Sequence, residues 1–178
     1  MSDATPAAAQ EDDSCELGTG PAGLGQADAG TLGPLDPEAV AARPEVEGEL
    51  ESRLAFTPAA LDLINRLWEL HGPLMFHQSG GCCDGSSPMC YPAGEFQTGP
   101  SDVLLGTIDI GSGEPVEVWM SKGQFEYWSH THLTIDVVNG RGAGFSLEAP
   151  TGRRFLIRSR LFTDDELPNL APVTHGVL

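Results

Sequence analysis

Basic residues are scarce in this chain: nine Lys and Arg stand against 26 Asp and Glu, giving a formal charge of −17 and a pI near 4.3. Such a surface repels phosphate backbones and anionic headgroups, which argues against nucleic acid or membrane as the main partner and favours a basic or neutral one. Long apolar runs are missing as well. No stretch approaches the length that spans a bilayer, and Met1-Ser2-Asp3-Ala4-Thr5-Pro6 has no basic region leading into an apolar one, so a cytoplasmic location is expected. The sequence also shows no internal repeat, no Cys-x-x-Cys pair and no phosphate loop. The run Gly140-Arg141-Gly142-Ala143-Gly144 does not open a helix after a parallel strand and reads as a turn. No Ser/His/Asp set is legible, which leaves a conventional hydrolase or nucleotide enzyme without support.

Residues 1–53 lack aromatic side chains altogether and carry only Arg43 and Arg53 as basic residues, amid Ala, Gly, Pro, Asp and Glu. Chain entropy exceeds what so little apolar surface returns, so this segment is expected to be a disordered acidic extension. Within it, Asp36-Pro37-Glu38 offers an N-cap, an N1 proline and an acidic first turn for a short helix over 36–42. Residues 54–166 are expected to form one globular domain, and 167–178 a flexible C-terminal tail. Thr57 and Pro58 announce a helix whose apolar positions Ala60, Ile64, Leu67 and Trp68 recur at helical spacing until Gly72-Pro73 ends it. Leu74–Gln78, Val103–Ile110, Val116–Met120, Leu133–Val138 and Phe155–Phe162 have strand composition, with Gly111-Ser112-Gly113 turning a hairpin. Ser121 is placed to cap a short second helix through Phe125, Tyr127 and Trp128, aromatics that read as core packing. Helices segregated against a mixed or antiparallel sheet make an α+β arrangement.

Cysteine is also rare, yet three of the four cysteines fall within nine residues, in Gly80-Gly81-Cys82-Cys83-Asp84-Gly85-Ser86-Ser87-Pro88-Met89-Cys90. Glycine removes the Cβ obstacle to tight backbone, so such a turn can wrap sulfurs around iron, an iron–sulfur cluster or zinc. The opposing reading is that small free cysteines fill core space. Cys15, alone in the acidic segment, is incidental. His77 lies three residues before the turn glycines and joins Cys82, Cys83 and Cys90 as a candidate metal ligand, with a hydrogen-bonded strand histidine as the alternative. His130 and His132 form a second tier, because alternate residues of an extended segment share a face; Asp84 is in the same tier, with an Asx-type turn role as its alternative. Asp109 and Asp136 sit in strand-like runs and are read as solvated, His71 needs only the helix dipole, and His175 belongs to the tail.

The run Gly72 to Gly85, together with His132-Leu133-Thr134-Ile135-Asp136-Val137-Val138 and Gly144-Phe145-Ser146-Leu147-Glu148, resembles a bacterial family known as domain of unknown function 779, over about residues 54–165. Members are often encoded beside aldehyde dehydrogenases, so the resemblance implies an accessory role in alcohol or aldehyde metabolism with such an enzyme as partner. More distantly, the order of a Thr-Pro-Ala-Ala helix start, the Gly-Gly-Cys-Cys-Asp-Gly turn, the Thr134-Ile135-Asp136 strand and Gly144-Phe145 before Pro150 is similar to HesB-like A-type iron–sulfur carriers. That similarity implies a small HesB-like α+β fold in which Cys83 matches the carriers' first cysteine. Their C-terminal Cys-Gly-Cys has no counterpart in Thr151-Gly152-Arg153-Arg154-Phe155. Three functions are therefore expected in order: a metal- or cluster-binding accessory protein, completed by His77 or a second subunit; a thiol redox protein; and a binding module without chemistry of its own.

Overall fold

The computed structural model describes residues 37–81, 86–142 and 144–171. Cys15, Cys82, Cys83, Asp84 and His175 lie outside the described residues. Among the described residues, nine strands and two α-helices follow in the order β1 (Val40–Ala41), β2 (Arg43–Pro44), β3 (Leu54–Phe56), α1 (Pro58–His71), β4 (Leu74–Gln78), β5 (Met89–Pro92), β6 (Asp102–Ile108), β7 (Val116–Ser121), α2 (Lys122–Trp128), β8 (Thr131–Asn139) and β9 (Arg153–Leu161). They build two mixed sheets, β1-β3-β8-β9 and β2-β6-β7-β4-β5, in which β3 runs parallel to β8 and β4 to β7. The α+β expectation holds at that level. No described helix is long and apolar enough to cross a membrane.

Local signals in the sequence fix several of these elements. Thr57 caps α1 by accepting the Ala60 N–H at 3.2 Å, Pro58 occupies the first turn, and Gly72 ends the helix at φ 76°. Its Ala60, Leu63, Ile64 and Leu67 face is buried against β8 and β4. β6 and β7 form the expected hairpin, with Gly111 and Gly113 at positive φ. The inner faces of the two sheets meet at Phe56, Phe76 and Phe155, and the Phe76 and Phe155 rings touch edge to face at 4.9 Å. α2 ends at Trp128 with its indole buried, while Tyr127 stays exposed, so the aromatic face packs only in part.

Residues 37–53 correct the expected boundary at 54. The expected helix over 36–42 is not formed at its described residues, 37–42: β1 adds to β3 and β2 to β6, so Ala42 between them steps from one sheet to the other, buried and donating its N–H to Leu54 O. The sequence conceals this because edge pairing uses backbone groups, which composition does not report. Arg53, almost fully buried, makes a forked ion pair with Glu49 and donates to Ser129 O at 2.6 Å, its guanidinium lying over Phe125 and Phe162. Of the expected tail over 167–178, the described residues 167–171 are corrected likewise: a 3-10 turn at Leu167–Asn169 docks by accepting the Leu50 N–H, and Ala171 N–H reaches Glu49.

Candidate functional site

Strand alternation sorts the candidate ligands. Along β4, Leu74 and Phe76 point into the core, so His77 and the following Ser79 lie on the opposite, outer face of the sheet. The antiparallel register sets Cys90 opposite Phe76 and Met89 opposite His77. Cys90 is therefore on the inner face with His77 on the outer, separated by the sheet, and one mononuclear site cannot hold both. Cys90 is a free thiol with no exposed surface. Burial first and the Glu148 carboxyl second push its pKa far up, so it stays a protonated core side chain and not a thiolate. The reading of small cysteines as core filler is the one that fits this residue.

The histidines do not converge. His130 is exposed between α2 and β8, and His132 is buried in the other sheet, edge-on to Phe162 at 5.9 Å and paired across the ladder with Arg160. Burial, then the Arg160 charge, brings the His132 pKa down to about 4 against a smaller opposing effect of Glu166. Alternation fails for this pair because His130 precedes the strand that His132 occupies. Asp109 falls beyond β6, whereas Asp136 in β8 pairs with Arg158 at 2.7 Å and accepts the Thr57 hydroxyl, so they do not face each other. Among the described residues, no group of three or more His, Cys, Asp or Glu side chains is placed to hold a metal ion.

Two constellations do form, and sequence reasoning missed both. On the outer face, His77 Nδ1 lies 2.7 Å from Ser79 Oγ, while Nε2 stands 3.2 Å from Asp102 Oδ1 without the alignment of a hydrogen bond. Asp102 opens β6 opposite Ser121 of β7, the strand lying between β6 and β4. The Gly99 N–H at 2.7 Å, and more weakly His77, hold the Asp102 carboxyl below its ordinary range against some burial. The connection after β5 folds over the imidazole, stacking Phe96 on His77 at 4.2 Å and on Tyr91 at 5.0 Å. His77-Gln78-Ser79 carries a readable signal, since residues two apart on a strand share a face; Asp102, 25 positions from His77, carries none.

The second constellation lies around Glu148, which has no exposed surface. Burial raises its pKa, opposed by the Ser146 hydroxyl, which donates to Oε2, and by the amides of Glu148 and Phe155. Ser146 Oγ also accepts the Cys90 N–H at 2.8 Å, and Leu147 N–H donates to Cys90 O, so this loop covers the edge of β5. Nearby, Ile157 N–H donates to Ser86 O at 2.8 Å, tying the end of the cysteine turn to β9. At the start of that turn Gln78 donates from Nε2 to Gly80 O, and Ser121 donates to Ser79 O at 3.4 Å.

Residues 63–161 match the family model described as Domain of unknown function (DUF779). No curated protein and no solved structure matches the chain.

Proposed function

This chain belongs to the domain of unknown function 779 family, and on that footing we propose that it is an accessory protein binding a metal ion or iron–sulfur cluster through Cys82 and Cys83. The observation that supports the reading is the run Gly80-Gly81-Cys82-Cys83-Asp84-Gly85 strung between two tied stems, Gly80 held by Gln78 and Ser86 by Ile157. Tied stems lower the entropy lost when a turn orders around a cation. Cys90 drops out of the ligand set because it is a core thiol, and His77 because its ring nitrogens face Ser79 and Asp102. Two thiolates are half of a tetrahedral set, so the proposal assigns the other half to a second copy of the chain, with Asp84 as the nearest alternative donor and iron, zinc or a cluster as the occupant. Kinship with the HesB-like carriers belongs to the same proposal and rests on motif order alone, as does service to an aldehyde dehydrogenase.

Metal analysis of the full chain purified without oxygen, alongside size-exclusion chromatography, tests the reading. Metal at about half an equivalent per chain in a dimer, lost together in Cys83→Ser while the circular dichroism is retained, is the expected result. Unchanged metal content in Cys83→Ser, or none in the wild type after iron or zinc loading, overturns it. The partner is tested by co-purification with an aldehyde dehydrogenase, whose activity and metal content should fall in this protein's absence.

A further inference from the structure

The outer face of the second sheet brings together a hydroxyl, an imidazole and a carboxylate from two non-adjacent strands. Ser79 is exposed at the end of β4; His77 is buried beside it; Asp102 reaches in from β6, fixed by the Gly99 N–H. The set lies on the face away from the Phe56, Phe76 and Phe155 contact. The Asp102 carboxylate, 3.2 Å from Nε2, favours the tautomer that carries its proton on that nitrogen, which leaves Nδ1 as the acceptor of the Ser79 hydroxyl proton. The Phe96 ring, 4.2 Å from the imidazole and tilted 32° to it, packs on His77 and restricts its plane.

We propose that Ser79 is a nucleophile that accepts acyl groups from small carboxylic esters or thioesters, with His77 as its general base and Asp102 as the positioning residue. This activity is separate from any chemistry of Cys82 and Cys83. Ser79 Oγ forms a bond to the carbonyl carbon while its proton passes to His77 Nδ1. The tetrahedral species collapses with loss of the alcohol or thiol, which leaves carrying the proton that His77 returns. Solvent water then attacks the acyl-serine, gives a proton to the same nitrogen and releases the carboxylic acid, and the proton returns to Ser79 Oγ. No electrons are exchanged and no co-reactant other than water is consumed. Asp102 touches neither substrate nor serine; its negative charge favours the tautomer and the imidazolium on which the base depends.

A fluorophosphonate probe tests the nucleophile directly, because a Ser79 Oγ–P bond forms as the P–F bond breaks and fluoride departs, its proton having gone to His77. The full chain would be treated both as wild type and as Cys82→Ser/Cys83→Ser, which removes the thiols of the turn, and the adduct located by peptide mass spectrometry. One adduct on Ser79 in both forms is expected, with none on Ser79→Ala. Asp102→Asn and His77→Gln should slow its formation by about 100-fold or more, with melting curves showing that each variant is folded. If His77→Gln does not fold, Asp102→Asn decides alone. An unlabelled Ser79 on folded protein under conditions that label a known serine hydrolase overturns the proposal, and so does an unchanged labelling rate in folded Asp102→Asn.

Discussion

Glu49→Ala is the substitution whose cost the structure specifies best. Glu49 accepts from Nε and Nη2 of Arg53 at 2.8 and 2.6 Å and from the Ala171 N–H at 3.2 Å, and Arg53 itself is buried between Phe125 and Phe162. Removing the carboxylate leaves the guanidinium enclosed, with the Ser129 carbonyl as its remaining acceptor among the described residues. Breaking a buried pair from one side costs about 3–5 kcal/mol, because the remaining charge keeps its desolvation penalty and loses its partner. For a domain of this size that corresponds to a fall in Tm of about 10–15 °C. Replacing both groups by apolar side chains, as in Glu49→Leu/Arg53→Met, should recover most of the loss, since Met fills the slot between the two rings without a charge. Thermal and urea unfolding of the wild type, both single variants and the double variant closes the cycle. A Glu49→Ala cost under about 1 kcal/mol would refute the reasoning, as it would show the pair to be solvated in the manner of a surface bridge.

Three further outcomes follow from ionisable groups. His132 is held down to about 4 from an ordinary 6.5, so the unfolded chain takes up its proton first; stability is complete above pH 6.5 and is lost as pH falls toward 4, by roughly 3 kcal/mol in all. Its imidazole C–H resonances should titrate with a midpoint near 4, and His132→Leu should flatten the melting temperature between those limits; a midpoint near 6.5 would contradict its burial. Overlapping the lower end of that window, Glu166, held down to about 2 chiefly by its bonds to Arg160, adds a second loss as pH falls from 4.5 toward 2. Cys90, buried and protonated, should resist a maleimide in the native chain and react only on unfolding, read by peptide mass spectrometry; prompt native labelling would return it to the set of available thiols.

The sequence by itself determined the elements whose signals are local. Thr57 and Pro58 start α1 and Gly72 ends it, β4 occupies Leu74–Gln78 as composition indicates, and the glycines after Ile110 turn the β6–β7 hairpin. Capping, helical spacing and φ preference act within a few residues, so they are written in consecutive letters. The family, too, was legible in its motifs. Tertiary structure decided what depends on register and on distant partners. Cys90 and His77 look like neighbours beside one turn, and only the pairing of Phe76 with Cys90 puts the sheet between them. Asp102 reaches His77 because β7 separates β6 from β4 by a single strand, an order no local pattern records. Residues 37–53 read as solvated acidic chain by composition, yet their backbone completes two sheet edges and Glu49 receives Arg53, because hydrogen bonds and buried charge pairs are satisfied by whatever the fold brings near.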